Sequence, residues 1–295
     1  MSASDDSRFT VLRAPPDTAG RRELALRIVD HFARNEAENN LPVGVAAGIA
    51  DAPESRENVE LLLAADPEGG SAAAVVMTPP YRLLVGHGDD PGARMALLED
   101  LRRRRVVPPG VVGTEPDSRD VALWWSQREG LEVRRAMRQG VYRLERVLPA
   151  LRTPGLVRAA TSEDAELLLS WLQAFWAEVG MDTGTPEEFL KAALQSAYRH
   201  LFLFEVGGHP VSMAGSGART PRGRRVGPVY TPPEHRGKGY AEALVAEVSA
   251  DLLGAGNRFC FLFTDLENPT SNAVYERIGY EMVIEAAEYD LLPRG

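Results

Sequence analysis

The stretch TPPEHRGKGYAEALV, residues 231–245, joins a basic, glycine-rich turn to the start of an amphipathic helix. The first N–H groups of a helix have no acceptor within the helix, and together they carry about half a positive charge. Gly237 and Gly239 have no side chain that would block an approaching anion, and Arg236 and Lys238 add positive charge. The stretch therefore predicts a phosphate site at the beginning of this helix.

The spacing of the turn excludes two common phosphate loops. The Walker pattern G-x-x-x-x-G-K-[ST] is missing, and the dinucleotide pattern G-x-G-x-x-G fails because Glu242 occupies its last position. The pattern that is present, Arg236-x-x-Gly239-x-Ala241, follows the strand-like run VGPVYT.

This pattern resembles the GNAT superfamily, the Gcn5-related N-acetyltransferases, in which an [R/Q]-x-x-G-x-[G/A] turn holds the pyrophosphate of acetyl-coenzyme A through main-chain amides. The resemblance implies that the strand before the turn splays from its neighbour, hydrogen-bonds the pantetheine arm and offers a main-chain N–H to the thioester carbonyl. The cofactor-binding residues implied in this region are Val229, Tyr230, Thr231, Arg236, Gly237, Lys238, Gly239, Tyr240 and Ala241.

A second signature of the family follows at TDLENPTSNAVYERIGY, residues 264–280. Asn268 suits a helix N-cap, and Pro269 suits the first helical position. By resemblance, Asn268 and Asn272 contact the cofactor, and Tyr275 lies near the cofactor sulfur as the acid that protonates the leaving thiolate. The two signatures occur in the family's order, and the resemblance covers roughly residues 155–292.

The reaction implied by the resemblance is direct transfer of an acetyl group from a thioester to an amine. A primary amine with a pKa like that of lysine, ~10.4, is almost fully protonated at pH 7, so a base would help. Because the family's first helices wall the acceptor pocket, we predict Glu178 as this base, with Glu205 and His209 as alternatives. Aromatic residues on the same helix line the pocket or belong to the core: Trp171, Phe175 and Trp176.

Helix and strand periods alternate along the chain, which predicts a mixed α/β protein of the α+β type. The resemblance implies a mostly antiparallel sheet flanked by helices. Among the individual elements, VGVAAGIA at residues 43–50 reads as a strand, and VRRAMRQGVYRLERV at residues 133–147 reads as paired strands. The soft stretch LPALRTPGL predicts a boundary between domains at residues 1–150 and 155–295.

The two halves share sequence features that suggest a tandem duplication. Each half ends in a helix, a glycine, a bulky residue, a glutamate and a closing strand, and TPPYRLL in the first half echoes TPPEHRG in the second. In the first half, however, HGDDPG puts Asp89 and Asp90 where a phosphate needs amides and positive charge. We therefore predict a degenerate, non-catalytic GNAT-like unit at residues 1–150.

Charge and composition narrow the possible partners. The net charge of -9 argues against a general nucleic-acid binder. The local excess of basic residues suggests a positive patch for coenzyme A phosphates, formed by Arg219, Arg222, Arg224, Arg225, Arg236 and Lys238.

Other motifs are missing from the sequence. The five histidines form no metal pattern, and we expect the single cysteine, Cys260, to be a buried hydrophobe. With no apolar run of ~18 residues and no apolar secretory segment, the expected setting is cytoplasmic, without a membrane partner.

The sequence as a whole predicts an acetyl-CoA-dependent N-acetyltransferase that acts on a primary amine of a small molecule or amino-acid-like acceptor, without a metal. Two alternatives stay open: a non-catalytic acyl-CoA-binding sensor or scaffold, and a protein N-acetyltransferase. The acceptor and the oligomeric state are not encoded in any motif found here.

Overall fold

The computed structural model describes residues 8–54, 58–149, 153–181, 184–196 and 199–294. The elements of the first half are β1 (Thr10–Arg13), α1 (Thr18–Phe32), α2 (Asn40–Asp51), β2 (Glu60–Ala65), β3 (Ser71–Met77), β4 (Leu83–Val85), α3 (Pro91–Arg103), β5 (Gly110–Thr114), α4 (Asp117–Glu129) and β6 (Leu131–Leu144). Those of the second half are β7 (Leu156–Ala159), α5 (Ala165–Val179), α6 (Pro186–Gln195), β8 (His200–Val206), β9 (His209–Arg219), β10 (Gly223–Tyr230), α7 (Tyr240–Gly254), β11 (Phe259–Asp265), α8 (Pro269–Ile278) and β12 (Glu281–Pro293).

The chain folds into two compact units whose limits cross the two sequence halves. The first takes its described residues from Met1–Gly140 and Ile284–Gly295, and the second from Val141–Val283. This division differs from the predicted boundary, which placed the last strand with the second domain. The reason is strand pairing, because β12 runs antiparallel to β5 of the first unit, with Ala286 opposite Thr114.

In the first unit the strands follow the order β1–β2–β3–β4–β5–β12. Pairing is antiparallel throughout except between β4 and β5, which are parallel and connected through α3. Helices α1 and α2 bury one core that includes Ile28 and Val43, and α3 and α4 bury another around Leu97 and Trp125. Both faces of this sheet are therefore covered by helices.

The second unit repeats this plan with the order β11–β10–β9–β8–β7. Strands β10 and β11 are parallel, and they are again connected through a helix, α7. Helices α5 and α6 pack on one face around Leu172 and Met213, and α7 and α8 pack on the other face around Val245 and Cys260. Cys260 is fully buried, as predicted.

These elements confirm the predicted mixed α/β class with mostly antiparallel sheets flanked by helices. The prediction of a strand at 43–50 is wrong, because those residues lie in α2. A short apolar run does not distinguish a strand from a buried helix by periodicity alone. The buried side chains Val43, Ala46, Ile49 and Ala50 follow helical spacing, and alanine favours the helix.

The predicted pair of strands at 133–147 is also wrong. Residues Leu131–Leu144 form the single strand β6, which continues through Gly140. A tight hairpin usually needs residues with positive φ at its centre. Gly140 is not among the glycines with positive φ, so the backbone stays extended there.

Candidate cofactor site and active site

The turn between β10 and α7 has the backbone geometry of an anion cradle. Gly237 and Gly239 have φ of 74° and 77°, a left-handed conformation that glycine adopts at least cost. Gly239 is the N-cap of the 15-residue helix α7 and supplies no capping side chain. Within the described residues, no acceptor bonds the main-chain N–H groups of Tyr240 and Ala241.

The uncapped start of α7 contrasts with the starts of four other helices. Side chains cap them by accepting a first-turn N–H, and the capping residues are Asp17 for α1, Asp90 for α3, Thr185 for α6 and Asn268 for α8. An N-terminus without such a side chain keeps its donors available to an external anion.

The charged side chains of the cradle are held by neighbouring groups. Arg236 donates through Nε to the Thr231 carbonyl at 2.8 Å and through Nη2 to Glu178 at 2.6 Å, and its guanidinium lies 5.7 Å from the centre of the Tyr230 ring. Lys238 Nζ donates to a main-chain carbonyl of the same turn at 3.1 Å. The cradle is thereby tied to the end of β10 and to α5.

The predicted positive patch is divided in the structure. Arg236 and Lys238 follow the C-terminal end of β10. The other four arginines of the patch lie at or next to the turn that joins β9 to the N-terminal end of β10. A strand rises about 3.3 Å per residue, so the eight residues of β10 separate the two groups by about 20 Å. Arg225, for example, lies over the Phe263 ring at 5.1 Å.

The strand that leads into the cradle separates from its parallel neighbour. Pairing between β10 and β11 joins residues 223–225 to residues 259–261. In the part of the chain that the structure describes, this pairing does not continue toward Val229 and Thr231. A gap between two strands at their C-terminal ends leaves main-chain groups available to an extended ligand.

A bulge in β10 accompanies this separation. The register between β10 and β9 shifts between Val226 and Val229, where Gly227 has a φ of 135°. Beyond the shift, Ser212 Oγ donates to the Tyr230 carbonyl at 3.1 Å and lies 2.8 Å from Thr231 Oγ1. Ser212 was not among the predicted site residues, since no sequence motif shows that it faces the end of β10.

The second signature folds as predicted around α8. Asn268 Oδ1 accepts the N–H of Ser271, which is the predicted N-cap bond, and Asn272 Oδ1 accepts a hydrogen bond from Thr264 Oγ1 at 2.9 Å. Thr264 lies near the end of β11 and fixes the orientation of the Asn272 amide.

Tyr275 is partly buried on α8, with its ring 6.0 Å from the ring of Tyr280. Loss of solvent raises the pKa of its hydroxyl to about 12, so the group is protonated at neutral pH. In the described residues, no hydrogen-bond partner engages this hydroxyl. It is therefore a protonated donor without an acceptor.

The three predicted bases have different surroundings. Glu178 bonds Arg236 beside the cradle. Glu205 accepts from Arg158 at 2.7 Å in an ion pair that also includes Asp164, which assigns it a structural contact. His209 is exposed at the start of β9, next to the β8–β9 turn. Of the three, only Glu178 contacts a residue of the cradle.

The aromatic residues of α5 extend from the core toward α6. Trp171 is 9% exposed and contacts the Tyr230 ring. Trp176 makes edge-to-face contacts with Phe175 and with Phe189 of α6. Trp171 thus lies in the core formed with α6, and Phe175 and Trp176 pack against that core.

A residue of the segment between the halves also reaches the cradle. A Cβ atom placed on Gly239 would lie 3.1 Å from Thr153 Oγ1. The φ of Gly239 and this contact both disfavour a side chain at position 239. Thr153 was not among the predicted site residues, because it lies in the stretch predicted as a domain boundary.

The corresponding turn of the first unit, between β4 and α3, differs from the cradle in its cap and its strand pairing. Asp90 caps α3 by accepting the Ala93 N–H at 2.9 Å, and β4 pairs with β5 along all three of its residues. Asp89 points inward instead of toward the turn: it is buried and bonds His31 at 2.7 Å, and burial raises the pKa of its carboxyl.

Two further features are missing from the described parts of the chain. They contain no group of three or more His, Cys, Asp or Glu side chains that could hold a metal ion. They also contain no helix of the length and apolar character needed to cross a bilayer.

Part of the chain matches the model of a known protein family. Residues 165–280 match the model of the Acetyltransferase (GNAT) family. No curated protein matches the sequence.

Solved structures resemble almost the whole chain. A GCN5-related N-acetyltransferase from Sphaerobacter thermophilus has a TM-score of 0.61 and 22% identity over 98% of this chain and 97% of its own. A tandem GNAT protein from the clavulanic acid biosynthesis pathway has a TM-score of 0.57 and 12% identity over 97% and 99%. A Drosophila protein has a TM-score of 0.68 and 13% identity over 98% and 100%. Residues 165–280 therefore form a GNAT-family domain, in a chain that shares the fold of a tandem GNAT protein along almost its whole length.

Proposed function

We propose that the second unit transfers the acetyl group of acetyl-coenzyme A to the primary amine of a small-molecule acceptor. The observation that carries this proposal is the N-terminus of α7, which has no capping side chain. Two glycines with left-handed φ lie in the turn before it, and this turn follows β10, whose C-terminal end is not paired with β11 in the described residues. Unpaired amides, positive charge and room for an extended chain are the features that a pyrophosphate with a pantetheine arm requires. Membership of the family supports acetyl transfer in general.

In this proposal the amides of residues 237–241 bind the pyrophosphate, with Arg236 and Lys238 adding charge. The unpaired edge of β10 at residues 229–231 hydrogen-bonds the pantetheine arm, and a main-chain N–H near the bulge donates to the thioester carbonyl as negative charge develops there. Asn268 and Asn272 contact the cofactor from the start of α8.

Proton transfer is assigned to two side chains. Tyr275 protonates the leaving thiolate, which its raised pKa and its hydroxyl without a partner support. Glu178 removes the proton of the acceptor amine. Its carboxylate bonds Arg236 in the ligand-free chain, and a pyrophosphate at Arg236 would compete for that guanidinium.

We also propose that the first unit binds no acetyl-coenzyme A. The capped start of α3 and the pairing of β4 with β5 along its whole length support this, because Asp90 puts a carboxylate on the Ala93 N–H and the described part of β4 leaves no gap beside β5. A fragment of residues 1–150 would not test the idea, since the first unit includes β12.

The test of the cradle uses Gly237, where an added Cβ would meet no atom within 4 Å. Asn and Asp both tolerate the left-handed conformation better than other residues and have nearly the same shape. Gly237→Asp should weaken acetyl-coenzyme A binding by at least about tenfold relative to Gly237→Asn, because only Asp places a charge against the phosphates. Titration calorimetry of the full chain measures both affinities.

The same titration gives the stoichiometry, which should be one cofactor per chain. Equal affinity in the two variants, or a second site, would contradict the assignment. Thiol release from acetyl-coenzyme A over a panel of amines then separates the activities. Binding without turnover of any amine or peptide would indicate an acyl-CoA sensor, and turnover of peptides alone would indicate a protein acetyltransferase.

A further inference from the structure

Arg199 is a half-buried cation to which the reaction outlined above gives no task. It lies directly before β8, and the loss of solvent lowers the pKa of its guanidinium. Within the described residues, no carboxylate pairs with it. Removing a charge from water without a counterion is costly, and a bound anion would offset part of that cost.

The position of Arg199 is defined by a glycine of β9 and an aromatic ring of α6. A Cβ atom placed on Gly217 would lie 3.4 Å from Arg199 Cγ and 3.6 Å from Nε. The guanidinium lies 5.0 Å from the centre of the Phe189 ring. Arg199 thus covers Gly217 on the face of the sheet that α5 and α6 cover.

Side chains along β9 point alternately to the two faces of the sheet, and this alternation shows where Arg199 lies relative to the bulge of β10. Met213, Gly215 and Gly217 point to the same side, and Met213 belongs to the core formed with α5 and α6. A Cβ atom placed on Gly215 would lie 2.7 Å from the Gly227 carbonyl oxygen, at the bulge. Gly217 is two residues further along, so Arg199 lies over the sheet about 7 Å from the bulge.

A buried donor without an acceptor lies nearby. Trp176 Nε1 is buried and has no hydrogen-bond acceptor among the described residues, and the Trp176 ring is 5.4 Å from that of Phe189. Phe189 therefore contacts both Arg199 and Trp176. Buried donors without acceptors are rare in folded proteins unless a ligand or water completes them.

We propose that Arg199 binds a carboxylate of the acceptor, so that the acceptor is an amino acid or a related amine that bears a carboxylate. This inference depends on the proposed acetyl transfer in the second unit. With the carboxylate at Arg199, the amine reaches the thioester near the bulge. There the new N–C bond forms and the C–S bond breaks, the amine proton passes to the base, and the leaving thiolate takes a proton from the acid.

The first arm of the test compares amines that differ only in this charge. Glycine, L-alanine and L-phenylalanine are each assayed against their own amides with acetyl-coenzyme A, in the wild type, Arg199→Met and Arg199→Lys. The wild type should favour the acids in kcat/KM by about tenfold or more. The amide group makes the neighbouring amine less basic, so a larger fraction of that amine is neutral and able to attack the thioester. Amine basicity alone would therefore favour the amides over the acids.

Arg199→Met should lose this preference, and Arg199→Lys should retain part of it, because lysine keeps the charge without the planar fork. Affinity for acetyl-coenzyme A and the melting temperature serve as controls for folding, and Arg199→Lys replaces Arg199→Met if the latter does not fold. A wild type that prefers amides, or an unchanged preference in Arg199→Met, would overturn the proposal.

The second arm measures binding without turnover. N-acetyl-L-alanine and its amide are titrated into the coenzyme A-loaded wild type and Arg199→Met. Selective binding of the acid that depends on Arg199, in a chain that acetylates no amine, would support the carboxylate site and refute the proposed activity. Equal binding of acid and amide by the wild type would refute the carboxylate site, whatever the activity.

Discussion

The Glu178 carboxylate lies 2.6 Å from Arg236 Nη2, so the C-terminal turn of α5 is joined to the turn before α7 by an ion pair between residues 58 positions apart. Each side chain is 46% exposed. Exposed ion pairs contribute about 0–1 kcal/mol to stability. The main consequence of this pair is therefore positional, because it keeps a carboxylate beside the cradle.

We predict that Glu178→Gln lowers kcat by about 10²-fold or more, the usual contribution of a general base. Glutamine retains the length of the side chain and can still accept from Arg236, so the affinity for acetyl-coenzyme A should change little and the free energy of unfolding by less than about 1 kcal/mol. Steady-state kinetics and cofactor titration measure these effects. Glu166→Gln, an exposed change in the first turn of the same helix, is the control. An unaltered kcat in Glu178→Gln would show that Glu178 is not the base.

Tyr275→Phe should reduce kcat by roughly 10²-fold while leaving cofactor affinity unchanged, because the variant loses only the proton donor. The donor acts in its protonated form, and the protonated fraction falls as the pH rises through the pKa of about 12. Tyr275 should therefore cause no decline of kcat between pH 7 and pH 10. Rate profiles across this range, in the wild type and the variant, test the assignment.

The neighbouring Tyr280 supplies the matched control for Tyr275. Its hydroxyl bonds Ser249 at 2.8 Å in the core. Tyr280→Phe should cost about 1 kcal/mol of stability through that lost bond and leave kcat as it is. Similar kinetic losses in both variants would indicate that the effect of Tyr275→Phe is packing, not proton transfer.

The assignment of β12 to the first unit is tested by Leu291→Ala. Leu291 is 6% exposed and belongs to the core around α3 and α4. The substitution should therefore lower the free energy of unfolding by about 2–4 kcal/mol. Hydrogen exchange should show reduced protection in β2, β3 and β5. Met282→Ala, on an exposed site of the same strand, should change stability by less than about 1 kcal/mol. Reduced protection confined to β8, β9 and β10 would place β12 with the second unit.

Part of the backbone geometry at the candidate site could be predicted because its signals are local. The φ of Gly237 and Gly239 follows from residue type within one turn, and the cap by Asn268 involves an N–H three residues away. A few consecutive residues decide the glycine conformations and the cap, so both features can be predicted without the tertiary structure. The wrong strand at 43–50 shows the limit of local reading, since burial against α1 and β2 selects the helix there.

The sequence alone determined that a helix with an open, glycine-flanked N-terminus follows a strand, and that a capped helix bearing Tyr275 comes after it. Tertiary structure decided which carboxylate meets Arg236, that Arg199 lies over Gly217, and that β12 pairs with β5. The physical reason is range. Turn and cap geometry is set by contacts within a few residues, whereas strand partners and buried charges are set by which surfaces pack together, and many strands of one chain have the local propensity for the same neighbour.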